Sequence, residues 1–159
     1  MQRSSLIAFT LLSLISNSGI AADQKRMPAN ACLLAYDGDS HFYDRGGARM
    51  GATNHTQNMV CPLVRGNTTN TNGLTNLQLN LFKQVSATFT CTAESYDQNG
   101  SLLKSVAKST TQTGITFLSW GSSINASSAK GTYGIVCTVV GAVPPAWGDE
   151  LMNIDYTEP

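Results

Sequence analysis

The chain has 159 residues, 10 basic and 10 acidic side chains, and only 13% charged residues, a balance that argues against nucleic-acid or anionic-membrane binding driven by bulk charge. Its first 21 residues read as a leader, and the 138 after them suffice for one domain but not for two independent cores. Ser, Thr and Asn fill 38 of those 138 positions, an uncharged polar surface that suits a protein outside the cytosol.

The leader has a positive start at Arg3, an apolar stretch from Leu6 to Ile15, and small residues up to a cleavage site after Ala21. Its apolar stretch is too short to span a bilayer core of about 30 Å, and no later stretch reaches the roughly 18 apolar residues of a membrane helix. The domain expected is therefore 22–159, secreted or periplasmic, with no transmembrane segment. Short strands come next, between turn-forming clusters. Ala31–Tyr36 precedes an Asp/Gly turn containing Asp37 and Asp39, with His41 and Asp44 just beyond. Ala48–Ala52 and Gln57–Val64 are the next candidates, and Gly66–Gly73 is a polar run of turn formers. Leu77, Leu79 and Leu81 alternate with Gln78, Asn80 and Phe82. The clearest strand runs from Val85 to Glu94, with Phe89, Cys91 and Ala93 inward and Thr90, Thr92 and Glu94 outward. Asn99-Gly100 offers positive-φ residues for a hairpin that returns through Ser101–Lys108. Gly114–Trp120 is a further strand, Ser122–Lys130 a serine-rich loop or single turn, and Tyr133–Val139 another alternating strand. Gly141–Gly148 is a proline loop carrying Trp147, and Leu151–Thr157 closes the chain. The sum is an all-β fold, a single antiparallel β-sandwich, jelly-roll-like or Ig-like, of about eight or nine strands.

Cys32, Cys61, Cys91 and Cys137 are an even set in an exported chain, with no C-x-x-C pair, and read as two disulfides rather than zinc ligands. Three connectivities are open. Inward positions for Cys91 and Cys137 on central strands favour a bridge between them across the core, leaving Cys32–Cys61.

The Ala31-Cys32 start, Cys61-Pro62-Leu63-Val64-Arg65, Phe89-Thr90-Cys91 leading to Ser95-Tyr96-Asp97, Tyr133-Gly134-Ile135-Val136-Cys137 and Ile154-Asp155-Tyr156 together resemble a family of small exported bacterial proteins of uncharacterised function. The resemblance implies a disulfide-linked β-sandwich and brings no catalytic residues. Its members often carry an acid after the arginine of the C-P-x-x-R segment, where this chain has Gly66.

Catalytic chemistry has little to stand on. Oxidised cysteines are not nucleophiles, G-x-S-x-G is absent, and neither His41 nor His55 lies in a nucleophile motif. Glu94 and the Asp149-Glu150 pair are not brought together by any pattern, as glycosidase carboxylates need to be. Asp37, Asp39 and Asp44 are weak calcium candidates, more simply an Asp/Gly turn, and no cofactor is expected. Trp147, in its proline loop, and Tyr96, on the polar face of its strand, are the candidate ligand contacts. The reading is a non-enzymatic binding or accessory module with a carbohydrate or envelope protein as partner. An envelope-associated structural protein that assembles through edge strands is the alternative, and a small hydrolase the weaker one.

Overall fold

Where apolar and polar residues alternate, the chain is extended, and the apolar members of each strand turn to a shared interior. The computed structural model describes residues 23–34, 41–44, 47–50, 56–66, 73–84, 86–124, 130–140 and 149–158. Its strands are β1 (Asp23–Pro28), β2 (Leu33–Leu34), β3 (His41–Asp44), β4 (Gly47–Met50), β5 (Thr56–Leu63), β6 (Asn76–Lys83), β7 (Phe89–Tyr96), β8 (Leu102–Thr110), β9 (Gly114–Ser119), β10 (Thr132–Val140) and β11 (Glu150–Glu158). A 3-10 turn at Ala29–Ala31 separates the first two. Among the described residues, no helix is long and apolar enough to cross a membrane.

Every pairing is antiparallel. Sheet A runs β3-β4-β11-β6-β9, and β1 joins it by pairing with the C-terminal part of β11 on the side where β4 pairs with the N-terminal part. Sheet B runs β2-β5-β10-β7-β8. The eight strands of six or more residues make four in each sheet. Ranked along the chain, they stand in the order 1-8-3-6 in sheet A and 2-7-4-5 in sheet B. That is jelly-roll connectivity, two interleaved Greek keys, and it decides between the two sandwich types the sequence left open.

The core lies between the sheets. Leu77, Leu79, Leu81, Leu118, Leu151, Ile154 and Tyr156 face it from sheet A, and Met59, Cys61, Leu63, Phe89, Cys91, Ala93, Tyr133, Ile135 and Cys137 from sheet B. At roughly 1.5–3 kcal/mol for each fully buried large aliphatic or aromatic side chain, this interior is the main favourable term. A bulge between Leu151 and Asn153 lets both Leu151 and Ile154 point inward although they are three residues apart.

The disulfides are Cys32–Cys61 and Cys91–Cys137, the expected pairs. Their expected geometry needs correcting. Cys91 and Cys137 are directly opposed on neighbouring strands β7 and β10, and Cys32 extends the β2–β5 register to meet Cys61. Both bridges are rungs within sheet B rather than ties across the core, and their Cα atoms stand 4.0 and 4.1 Å apart. That is the closeness of a non-hydrogen-bonded antiparallel pair.

Other expectations shift in detail. The strand expected from Val85 begins at Phe89, and Val85 itself lies outside the described residues. In the β7–β8 hairpin only Gly100 takes a positive φ, +81°, whereas Asn99 does not. Asp97 does the rest: its carboxylate accepts from the amides of Asn99 and Ser101, both at 2.8 Å, and its carbonyl accepts from Gly100 N–H. This is a turn closed by a left-handed glycine, not a two-residue hairpin with two positive φ angles.

Two ionic clusters fasten the ends of β11. At its C-terminal end Glu158, nearly buried, meets Lys25 Nζ at 2.5 Å, accepts from Gly66 N–H at 2.8 Å, and lies 3.5 Å from Arg65 Nε. Arg65 also stacks over the Tyr133 ring and donates to the Gly131 carbonyl. The acid that Arg65 lacks at its neighbour Gly66 is thus supplied by the last strand. A Cβ on Gly66 would collide with the Lys25 ammonium. At the N-terminal end, Lys83 and Asp149 form an almost wholly buried pair at 3.0 Å. Lys83 also donates to the Ala87 carbonyl, and Asp149 accepts from Gln84 N–H.

Candidate functional site

Two sheet faces are turned away from the core, and they differ in chemistry. On the outer face of sheet B, the register aligns Leu33, Val60, Val136, Thr92 and Ala107 in one cross-strand row and Pro62, Gly134, Glu94 and Ser105 in the next. Tyr96 sits there between Thr132 and Leu102, half-buried, and its hydroxyl donates to the Glu94 carboxylate. That bond, with burial and the charge of Glu94 adding to it, raises the Tyr96 phenol above its ordinary value. Tyr96 is thus engaged with its own strand, on a surface that also carries the exposed side chains of Leu33 and Leu102.

The outer face of sheet A is polar and linked from strand to strand. Pairing places Arg26, Asp155, Gln78 and Ser119 in one row and Pro28, Asn153, Asn80 and Phe117 in the next. Asn80 is the hub. Its amide nitrogen donates to Asn153 Oδ1 at 2.7 Å and to Asp155 Oδ2 at 2.8 Å, and its oxygen accepts from Gln78 Nε2 at 2.8 Å. Arg26 closes the row with a two-point contact to Asp155, Nε at 2.6 Å and Nη2 at 3.2 Å. The hydrogen bond and the charge of Asp155 raise the guanidinium further above its already high value, so it is cationic at every working pH. The ladder engages one edge of the exposed guanidinium and leaves the rest of its fork of donors outside the pair.

Beside this ladder lies an open cleft of about 410 Å³, lined by Gln24, Arg26, Asn76, Asp155 and Thr157 among others. On the other flank, Phe117 and Ile115 are 59% and 77% exposed, with Phe82 half-buried next to them. Amides, a carboxylate and a guanidinium in one plane next to an exposed ring offer donors, acceptors and an apolar platform on a rigid sheet.

Trp147, Asp37 and Asp39 lie outside the described residues; His41 and Asp44 are described only as backbone in β3, opposite Met50 and Gly47. Among the described residues, no three His, Cys, Asp or Glu side chains gather as metal ligands. The carboxylates weighed for hydrolysis are separated: Glu94 is on the outer face of sheet B, Glu150 belongs to β11 of sheet A, and Asp149 is buried against Lys83. Local sequence pattern does not reveal the ladder, because its members come from three strands spread across the chain. Gln78 and Asn80 stand out in the sequence only as the polar alternates of Leu77, Leu79 and Leu81.

No protein-family model matches the chain, and no curated protein matches it by sequence. Solved structures do share its fold. A low-affinity xylan-binding module from the gut symbiont Roseburia intestinalis superposes with a TM-score of 0.51 at 10% identity, over 84% of this chain and 94% of that one. An exo-β-1,3-galactanase from Phanerochaete chrysosporium matches at 0.48 and 14% identity, over 85% of this chain and 29% of its own. The family 11 carbohydrate-binding module of a Clostridium thermocellum cellulase matches at 0.45 and 9%, over 85% and 86%. At such identities the likeness is one of fold, and the first match alone bears weight. The resemblance read from the cysteine pattern is upheld as a disulfide-linked β-sandwich and no further.

Proposed function

We propose that this chain is an exported, non-enzymatic binding module that takes a carbohydrate on the outer face of sheet A. The hydrogen-bonded ladder Arg26–Asp155–Asn80, with Gln78 and Asn153 attached and Phe117 beside it, carries the reading. A sugar hydroxyl both donates and accepts, and side-chain amides, a carboxylate and a guanidinium match it in both senses. The C–H face of a pyranose is apolar and packs on an exposed ring such as that of Phe117. The fold shared with a xylan-binding module supports the same class of ligand. Two disulfides suit a compartment outside the cytosol, which agrees with residues 1–21 as a cleaved leader and a secreted or periplasmic location.

Affinity electrophoresis of the 22–159 protein through gels containing soluble xylans, glucans and galactans tests the reading. Retardation by at least one polysaccharide is expected. Asn80→Ala should weaken it about tenfold, the worth of roughly one well-formed hydrogen bond at 1.4 kcal/mol. Retardation lost in Tyr96→Ala or Trp147→Ala but intact in Asn80→Ala would move the site to those residues. Absence of binding to every polysaccharide and oligosaccharide tried would sink the proposal.

A further inference from the structure

We propose that β9 is a docking edge at which two copies of this chain join, continuing sheet A from one protomer into the other. The inference rests on how differently the sheet edges are protected. Unpaired edges invite strand addition, and proteins block them with charge, proline, short strands or covering side chains. β2 has two residues and β3 four. β1 carries Asp23, Lys25, Arg26 and Pro28. β8 is long, but its middle is engaged: the Val106 carbonyl accepts from the buried Trp120 indole at 2.8 Å. Lys104 and Lys108 flank Val106 on the same alternation. An antiparallel pairing of two β8 strands about Val106 would set Lys104 opposite Lys108 of the second copy, a like-charge contact.

β9, Gly-Ile-Thr-Phe-Leu-Ser, has none of these devices. It contains no charge and no proline, and among the described residues it ends the strand order of its sheet. Its register fixes which groups are open. Trp120 N–H donates to the Leu77 carbonyl at 2.9 Å, so Trp120, Leu118 and Thr116 turn their backbone groups to β6. By alternation Ile115, Phe117 and Ser119 turn theirs to the open edge. Their side chains are all exposed on the outer face. A two-fold axis at Phe117 pairs Phe117 with itself and Ile115 with Ser119 of the second copy, using all three residues with no charge opposed to a charge. The contact is self-complementary, as an isologous dimer requires. It would bring the two β6 strands to about 14 Å from each other, three strand spacings, with both Asn80 ladders on one continuous face.

Sedimentation velocity and amide hydrogen exchange of the 22–159 protein over a range of concentrations test this. A concentration-dependent dimer is expected, with the amides of Ile115, Phe117 and Ser119 gaining protection as it forms while those of Thr116 and Leu118, already bonded to β6, do not change. The double variant Ile115→Lys, Ser119→Lys sets lysine against lysine at both pairs and should sediment as a monomer, with the unfolding midpoint the wild type shows at concentrations where it is monomeric. Lys104→Ser should remain dimeric. A wild-type monomer at all concentrations overturns the proposal, as does a dimer that survives the double lysine variant or forms without protecting those three amides. Protection appearing only with an added foreign protein overturns the two-copy assignment.

Discussion

Replacing Cys91 and Cys137 together by alanine tests the energetic role of the rung between the central strands of sheet B. The bridge closes a loop of 46 residues, and the chain-entropy relation assigns about 4.0 kcal/mol to restricting the unfolded state by that loop at room temperature. For the 29-residue separation of Cys32 and Cys61 the same relation gives about 3.6 kcal/mol. Both are large against the roughly 5–15 kcal/mol of a typical domain. Their structural settings separate them. Cys91 and Cys137 join long strands that already share a full ladder, so losing the bridge should lower global stability. Cys32 fastens β2, which has only two paired residues, so losing its bridge should also let β2 open locally. Urea unfolding of C91A/C137A should show a loss of about 4 kcal/mol with a larger m, because the unlinked unfolded chain exposes more surface. Hydrogen exchange on C32A/C61A should show faster exchange at Leu33 and Leu34 than in the other variant. A loss below about 1 kcal/mol in C91A/C137A, against the typical 2–4, would refute the loop-closure account.

Lys83→Met leaves Asp149 buried without its ammonium and should cost about 3–5 kcal/mol in urea unfolding, whereas K83M/D149N should recover part of that. Strict additivity in this double-mutant cycle would mean the pair is not coupled. Stability should also fall at alkaline pH. Burial raises the phenols of Tyr133 and Tyr156, and hydrogen bonding to Glu94 raises that of Tyr96, all from an ordinary value of 10.0. Lys25, whose burial acts in the opposite direction, is raised on balance from 10.5 by its bond to Glu158 and that carboxylate's charge. Groups raised in the folded state bind protons more tightly there than when unfolded. Their stabilisation is complete below the ordinary values and is lost as the pH climbs through the folded ones. Melts across this window should show a decline beginning near pH 10; a flat profile to higher pH would contradict these shifts.

The sandwich was legible in the sequence because its long strands obey a period of two, with Leu77, Leu79 and Leu81 or Phe89, Cys91 and Ala93 on one side and polar residues on the other. β1 escaped that reading because Lys25 holds one of its half-buried positions, tolerated there because Glu158 of β11 supplies the counter-charge, with the exposed Asp23 as its second acidic neighbour. No local pattern announces such a strand. The cysteine pairs were legible, yet not that both are rungs of one sheet, since that depends on β10 lying between β5 and β7. The ladder was illegible for the same reason. Asn80 and Asn153 are 73 residues apart, and only strand order places one beside the other.

Strand order also explains why the polar groups on the outer face of sheet A are held in place. Asn153 and Asp155 project from β11, the strand with neighbours on both sides and an ionic cluster at each end. Glu158 is held by Lys25, Arg65 and Gly66, and Asp149 by Lys83 and Gln84, so the strand has little freedom to slide in register. The bulge at Met152 then sets the phase of the rest of the strand, turning Asn153 outward while Ile154 packs inward. A ligand meeting Asn80, Asn153 and Asp155 therefore encounters groups positioned before it arrives, and ordering them costs little of the binding free energy. The buried charges, expensive to bury, act here through the placement of two half-buried side chains, Asn153 and Asp155, that they never touch.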